Sequence, residues 1–257
     1  MDPLRQQHAE AVRRHFRRAL LASMAFVALI GAIFFATPAL GGLRDFALVP
    51  LELHGLVGIL TAPLLHGSAG HWLANASALL VLGTLVGTVY PRAALRALPV
   101  LWLLSGLVTW VIGRPSFHIG ASGLTHGLMF LLLFLGLFRR DKAAIAAALI
   151  AFFLYGGMVL TILPREPGVS WEYHLGGALA GIVAAWWWRR LDPEPPRKRY
   201  SWEIEEEQAG AQAEAEAAQF EPPRPEDVPV LWQRPQPSEG SVILPFRPRR
   251  DEDGPER

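Results

Sequence analysis

The 257-residue chain has no cysteine. Disulfides, thiolate metal sites, iron–sulfur clusters and cysteine nucleophiles are thereby excluded. Carboxylates are also scarce where the chain is most apolar: residues 1–191 hold 7 Asp/Glu against 15 Lys/Arg, a balance of +8. Residues 192–257 reverse this with 16 against 9, a balance of −7, so a net charge of +1 conceals a basic body and an acidic end. No internal repeat is evident. No cleavable leader is expected either, because the first apolar run is too long for a signal-peptide core and lacks a convincing small-residue cleavage site. Chemistry is left to eight histidines, to hydroxyls and to a few amides.

Half of the residues are apolar, and several runs approach the ~20 residues that cross a bilayer. An all-α, polytopic membrane bundle of six spans is expected: about 19–36, 70–90, 95–112, 122–140, 143–163 and 171–188. A lead of residues 1–18 precedes the membrane domain of residues 19–191. Residues 37–69, broken by Gly41-Gly42, Pro50 and Pro63, form a semi-apolar loop expected to lie in the interface against protein. With the N-terminus cytoplasmic, inner segments carry twelve Lys/Arg and outer loops only Arg44, Arg114 and Arg165. The positive-inside rule therefore puts both termini in the cytoplasm. Trp186-Trp187-Trp188 reads as an interfacial belt.

Residues 192–257 hold 12 prolines and an acidic run, Glu203 to Glu207. They cannot bury enough surface to offset chain entropy, so a disordered cytoplasmic tail is expected, with short helix allowed around Ser201–Phe220. Val242 to Phe246 is a candidate docking motif for a cytoplasmic partner, although random apolar clustering accounts for it better. No nucleic-acid partner is expected.

The informative residues are polar groups inside spans, where they are costly and usually functional. His71 and Asn75 open the second span, Ser122 and His126 the fourth, His174 the sixth. All enter from the outer face and so share a depth. His71 and Asn75, at i and i+4, lie on one helical face. His174 shares a face with Gly177 and Gly181, a strip that lets a neighbouring helix come close. If that neighbour is the fourth span, His174 meets Ser122, which sits in Gly120-Ala121-Ser122-Gly123. Serine needs a base to become a nucleophile. His174 is the candidate base, a role worth about 10²–10⁴ in rate. His71, Asn75 and the Ser122 N–H are candidate oxyanion donors. No aspartate or glutamate is expected in these spans to orient the imidazole, so a Ser–His dyad positioned by packing is expected. Ser122 could also be simply a helix cap.

Gly120-Ala121-Ser122-Gly123, with His66-x4-His71-x3-Asn75 before and His174-x2-Gly177-x3-Gly181 after, resembles the rhomboid family of intramembrane serine proteases. The resemblance covers roughly residues 50–190 and includes span number, order and orientation. It implies Ser122 as nucleophile, His174 as base, and His71, Asn75 and the Ser122 amide as oxyanion donors. His66 is implied as a supporting hydrogen-bonding residue. It further implies transmembrane protein substrates cleaved in the lipid bilayer near their outer ends, with no cofactor or metal, and a place in a bacterial inner or plasma membrane. The chain departs from the family pattern at His126, where an aromatic residue usually packs on the catalytic histidine. It departs again in a first loop without a Trp-Arg pair, and at Gly87, where an acidic residue is common. Two other classes stay open. One is a catalytically inactive relative that binds transmembrane clients. The other is a metal or haem site using His66, His71, His126 and His174, disfavoured because His66 and His71 on one helix would point about 140° apart. His54 and His118 read as outer-loop residues, and His8 and His15 as solvated.

Overall fold

The computed structural model describes residues 3–40, 44–193 and 200–219. Among them all regular structure is helical, apart from one antiparallel bridge between Leu48 and His118. The helices are α1 (Pro3–Ala36), α2 (Gly58–Thr61), α3 (Ala69–Val89), α4 (Pro91–Ile112), α5 (Ser122–Arg139), α6 (Lys142–Tyr155), α7 (Trp171–Trp188) and α8 (Ser201–Gln219). The first seven belong to one compact unit and α8 to a second. Five stretches are long and apolar enough to cross a membrane: Gln6–Ala36, Ala69–Val89, Pro91–Ile112, Ser122–Arg139 and Lys142–Ile162. The sixth expected span, α7, has 18 residues, about 27 Å at helical rise, but Glu172 and His174 make its first turn polar.

The boundaries differ from expectation in three places. The lead is not separate from the first span, because α1 runs unbroken from Pro3. The fifth span is α-helical only to Tyr155 and continues as a 3₁₀ helix, Gly156–Ile162. Asp192, the first residue of the expected tail, is buried in the bundle. Of the rest of that tail, residues 200–219 are described and hold α8, the helix the composition allows; it buries no residue. Residues 194–199 and 220–257, including the Val242–Phe246 cluster, lie outside the described residues.

α5 is the axis of the bundle, with Gly123 through Leu132 all buried. Lipid is as apolar as leucine, so helices in it associate by close packing rather than by hydrophobic exclusion, and small residues mark the contacts. Gly177 of α7 has no room for a Cβ because the Gly123 backbone of α5 lies against it, and Gly181 meets the Gly127 carbonyl in the same way. On the other flank, a Cβ on Gly83 would stand 2.6 Å from the Ser23 hydroxyl of α1, and one on Gly87 2.7 Å from the Ala19 Cβ. That explains glycine at 87: a carboxylate would have to displace α1. α6 buries only Ala144, Ala147 and Ala151, while Leu149, Phe152 and Phe153 point outward. An apolar helix with so narrow a buried face is one that faces lipid.

The two ends of the bundle differ in chemistry. At one end the Asp192 carboxylate accepts the Arg92 and Ala93 amides at 3.0 and 2.9 Å, capping α4. A buried anion is favoured there by the dipole of the helix N-terminus. The Arg139 guanidinium donates to the Arg189 and Asp192 carbonyls and pairs with Asp141 at 2.9 Å. The N-termini of α3, α5 and α7 occupy the opposite end. Asp192→Ala is expected to lower stability by about 1–2 kcal/mol, the range for losing a helix cap. Thermal unfolding in detergent measures this, and an unchanged midpoint would mean that the carboxylate holds nothing.

Candidate active site

Ser122 is the first residue of α5, and Ala121, at the N-cap, makes no side-chain cap. The bland capping role for Ser122 is therefore not the one it plays. Its side chain is half-buried and takes part in no hydrogen bond among the described residues, while its carbonyl accepts from Thr125 Oγ1 at 3.0 Å and His126 Nδ1 at 2.7 Å. The chain reaches Ser122 through Gly120, whose φ of +111° is one that side-chain-bearing residues rarely adopt. Gly120 is also where the His71 ring sits: a Cβ there would collide with the imidazole and stand 3.4 Å from Asn75 Nδ2. The Gly120 N–H is tied to the Ala62 carbonyl at 2.8 Å, which fixes the turn.

His71 is in the first turn of α3, which is capped by Ser68 accepting the His71 N–H at 3.2 Å. Asn75 follows one turn later and is buried, and its Nδ2 has no partner among the described residues. An unpaired buried donor typically costs ~1–3 kcal/mol, so an amide left in this state marks a position with another use. His66 is not on α3 but in the segment before it. Its buried ring meets that of His71 edge-on with centroids 5.0 Å apart. The divergence expected for two histidines on one helix therefore does not occur. Among the described residues, no group of three or more histidine or acidic side chains has metal-binding geometry.

His174 stands in the first turn of α7, one turn before Gly177, and so beside the start of α5. Its Nδ1 lies 3.0 Å from the Thr161 carbonyl. A carbonyl only accepts, so Nδ1 carries the proton and the neutral ring keeps Nε2 bare, the form a base requires. The His126 ring stacks on that of His174, with centroids 3.9 Å apart and planes 13° from parallel. His126 thus fills the place expected of an aromatic residue. Its Nδ1–H goes to the Ser122 carbonyl, and its Nε2 lies 2.9 Å from the Thr161 hydroxyl. Thr161 therefore touches both imidazoles, one through its backbone and one through its side chain.

Sequence reasoning misses three residues here. Thr161 acts chiefly through a carbonyl near the end of a 3₁₀ segment, where carbonyls lose their intrahelical donors. Gly156-Gly157 and Pro164, which break the fifth span, were the available signal. Glu172 is the second. Contrary to the expectation of no acidic group beside the histidine, it is buried two residues before His174. It does not orient the imidazole: its carboxylate pairs with Arg114 Nε at 3.2 Å and accepts the Arg114 amide at 3.2 Å. The third is His118, buried rather than interfacial. Its Nε2–H donates to the Arg114 carbonyl at 3.1 Å, and its Nδ1 lies 2.5 Å from the Ser170 hydroxyl. Burial lowers its pKa below the ordinary imidazole value, although the bond to Arg114 opposes this, so the ring joins these loops in its neutral form. Gly120→Ala is expected to cost about 1–3 kcal/mol of stability in detergent, the range for backbone strain. Gly67→Ala, where a Cβ would meet only Ile119 at 3.4 Å, is the matched control and should cost far less.

A family model, the Rhomboid domain, matches residues 53–191, more than half of the chain and all of the site. The chain is 44% identical over 146 residues to the uncharacterized protein Rv1337 of Mycobacterium tuberculosis. It is 40% identical over 145 residues to the uncharacterized protein ML1171 of Mycobacterium leprae. Each alignment covers 53% of this chain, and 61% and 57% of the respective relatives, so the chain spans less than two thirds of either. With its apolar helices and its match over residues 53–191, this multi-pass integral membrane protein belongs to the rhomboid family.

Proposed function

We propose that the protein is an intramembrane serine endopeptidase that cleaves transmembrane segments near the outer face of the bilayer. Ser122 is the nucleophile and His174 the general base. The observation that carries this reading is the His174 tautomer: with Nδ1–H given to Thr161, Nε2 is free to take a proton. Nε2 removes the Ser122 hydroxyl proton as the oxygen attacks the scissile carbonyl. The imidazolium then returns that proton to the departing amine, and water repeats the sequence to release the acyl group. The Thr161 carbonyl favours the imidazolium, because a hydrogen bond to a charged donor is stronger than one to a neutral donor.

The oxyanion formed in the first step is held by the Ser122 N–H and the side chains of His71 and Asn75. The unpaired Asn75 amide beside Gly120 supports that assignment. The positive end of α5 adds to it. His66 supports His71 from behind, and the Gly123–Gly177 and Gly127–Gly181 contacts set the α5–α7 spacing. Both termini are assigned to the cytoplasm of a bacterial cell. The gathering of Arg92, Arg139 and Arg189 at the end away from the site favours that orientation.

Ser122→Ala and His174→Ala are each expected to abolish cleavage of a single-span substrate and labelling by a fluorophosphonate probe, with expression intact. Absence of labelling in the natural protein would turn the reading toward an inactive relative that binds transmembrane clients. Asn75→Ala should slow cleavage by roughly 10²–10³ without abolishing it, since other donors remain. The stacked pair gives a separate test. His126→Ala is expected to slow cleavage about tenfold through loss of the ring contact, and His126→Phe to recover most of it. An alanine variant as fast as the natural protein would show that the stack does not position the base.

A further inference from the structure

A cavity of about 970 Å³ lies between α1, α3 and α4, away from the candidate active site. Its walls are almost wholly apolar. They run from Arg18 and Arg92 at the basic end of the bundle, past Phe26, Leu98 and Trp102, to Leu124 and Leu128 of α5. Apolar voids of this size do not hold ordered water, which needs polar partners. In a bilayer such a groove is filled by an apolar chain.

Its charged groups are confined to one end, where Arg18 and Arg92 stand with the Asp192 carboxylate. Arg18 is exposed and makes no ion pair or hydrogen bond among the described residues. Arg92 gives its backbone amide to Asp192, and among the described residues its guanidinium makes one long contact, 3.5 Å to the Leu191 carbonyl. The carboxylate at this rim, Asp192, is buried, and both of its oxygens accept amides of α4, so it leaves the two guanidinium groups outnumbering it and unpaired with it. His15 stands beside Arg18 in the same lining.

We propose that this groove is a binding site for one anionic phospholipid, with its phosphate at Arg18 and Arg92 and its acyl chains along α3 and α4. A zwitterionic lipid would fill the same walls but would place a cation among the arginines. A spanning peptide would bring no fixed anion to this depth, so the charged rim would go unused. The far end of the acyl chain rests on Leu124 and Leu128, within two turns of Ser122 on α5. The site is independent of the protease reading, because lipid retention is measured without substrate.

The test is native mass spectrometry of the delipidated full chain in neutral detergent, with phosphatidylglycerol or phosphatidylcholine of identical acyl chains. One phosphatidylglycerol per chain should be retained, with a preference of roughly 30-fold from two arginines at a membrane surface. The double variant R18Q/R92Q, checked for an unchanged melting temperature, should bring that preference close to one. Leu98→Trp, which fills the groove, should exclude both lipids. Equal retention of the two lipids by the natural protein would overturn the proposal, as would an undiminished preference in R18Q/R92Q. Displacement of bound phosphatidylglycerol by a single-span peptide would overturn it too, and make the groove a peptide site.

Discussion

Two facing pairs of glycines, Gly123 with Gly177 and Gly127 with Gly181, let the backbones of α5 and α7 touch. In water such a contact would be a modest gain, but in lipid, where apolar side chains do not drive association, it is a main source of specificity. It also sets the scale of the candidate site, since Ser122 and His174 each lie within one turn of the first pair. A Cβ at Gly177 or Gly181 would push α7 off the α5 backbone and separate the side chains carried on their ends.

The same economy extends outward with different residues. α4 packs on α7 where Gly176 leaves room for the Ser105 carbonyl, and α6 packs on α5 where Gly136 meets Ala148 and Ala144. The polar work is then divided between the ends. One end holds buried capping and arginine–carbonyl bonds that fasten helix termini to one another. The other holds the stacked His126 and His174 rings, both bonded to Thr161, beside a His66 ring and an Asn75 amide nitrogen that have no partner among the described residues.

Much of this was legible in the sequence because it follows from period and spacing. The helix starts at Ala69, Ser122 and Trp171 fall where polar residues give way to apolar runs, and Gly177-x3-Gly181 announces the close helix contact. What was not legible depends on backbone groups or on distant partners. The Thr161 carbonyl has no signature of its own. His118 and Glu172 are drawn inward by Ser170 and Arg114, which lie far along the chain or across a loop. Asp192 reads as the first acidic residue of a tail until α4 presents two bare amides to it. The fifth span loses its last α turn because Gly156-Gly157 weaken it and Pro164 ends it, a matter of local conformation that hydropathy does not register.

That shortened span has a mechanical meaning. α6 is fastened to its neighbours by three alanines, yet the segment continuing from it carries the oxygen that keeps the His174 ring in its tautomer. Swinging this arm outward into lipid would withdraw Thr161 from both imidazoles at once. A helix with a narrow buried face thus governs how the His174 ring is held, and its lateral displacement and the release of that imidazole become a single event.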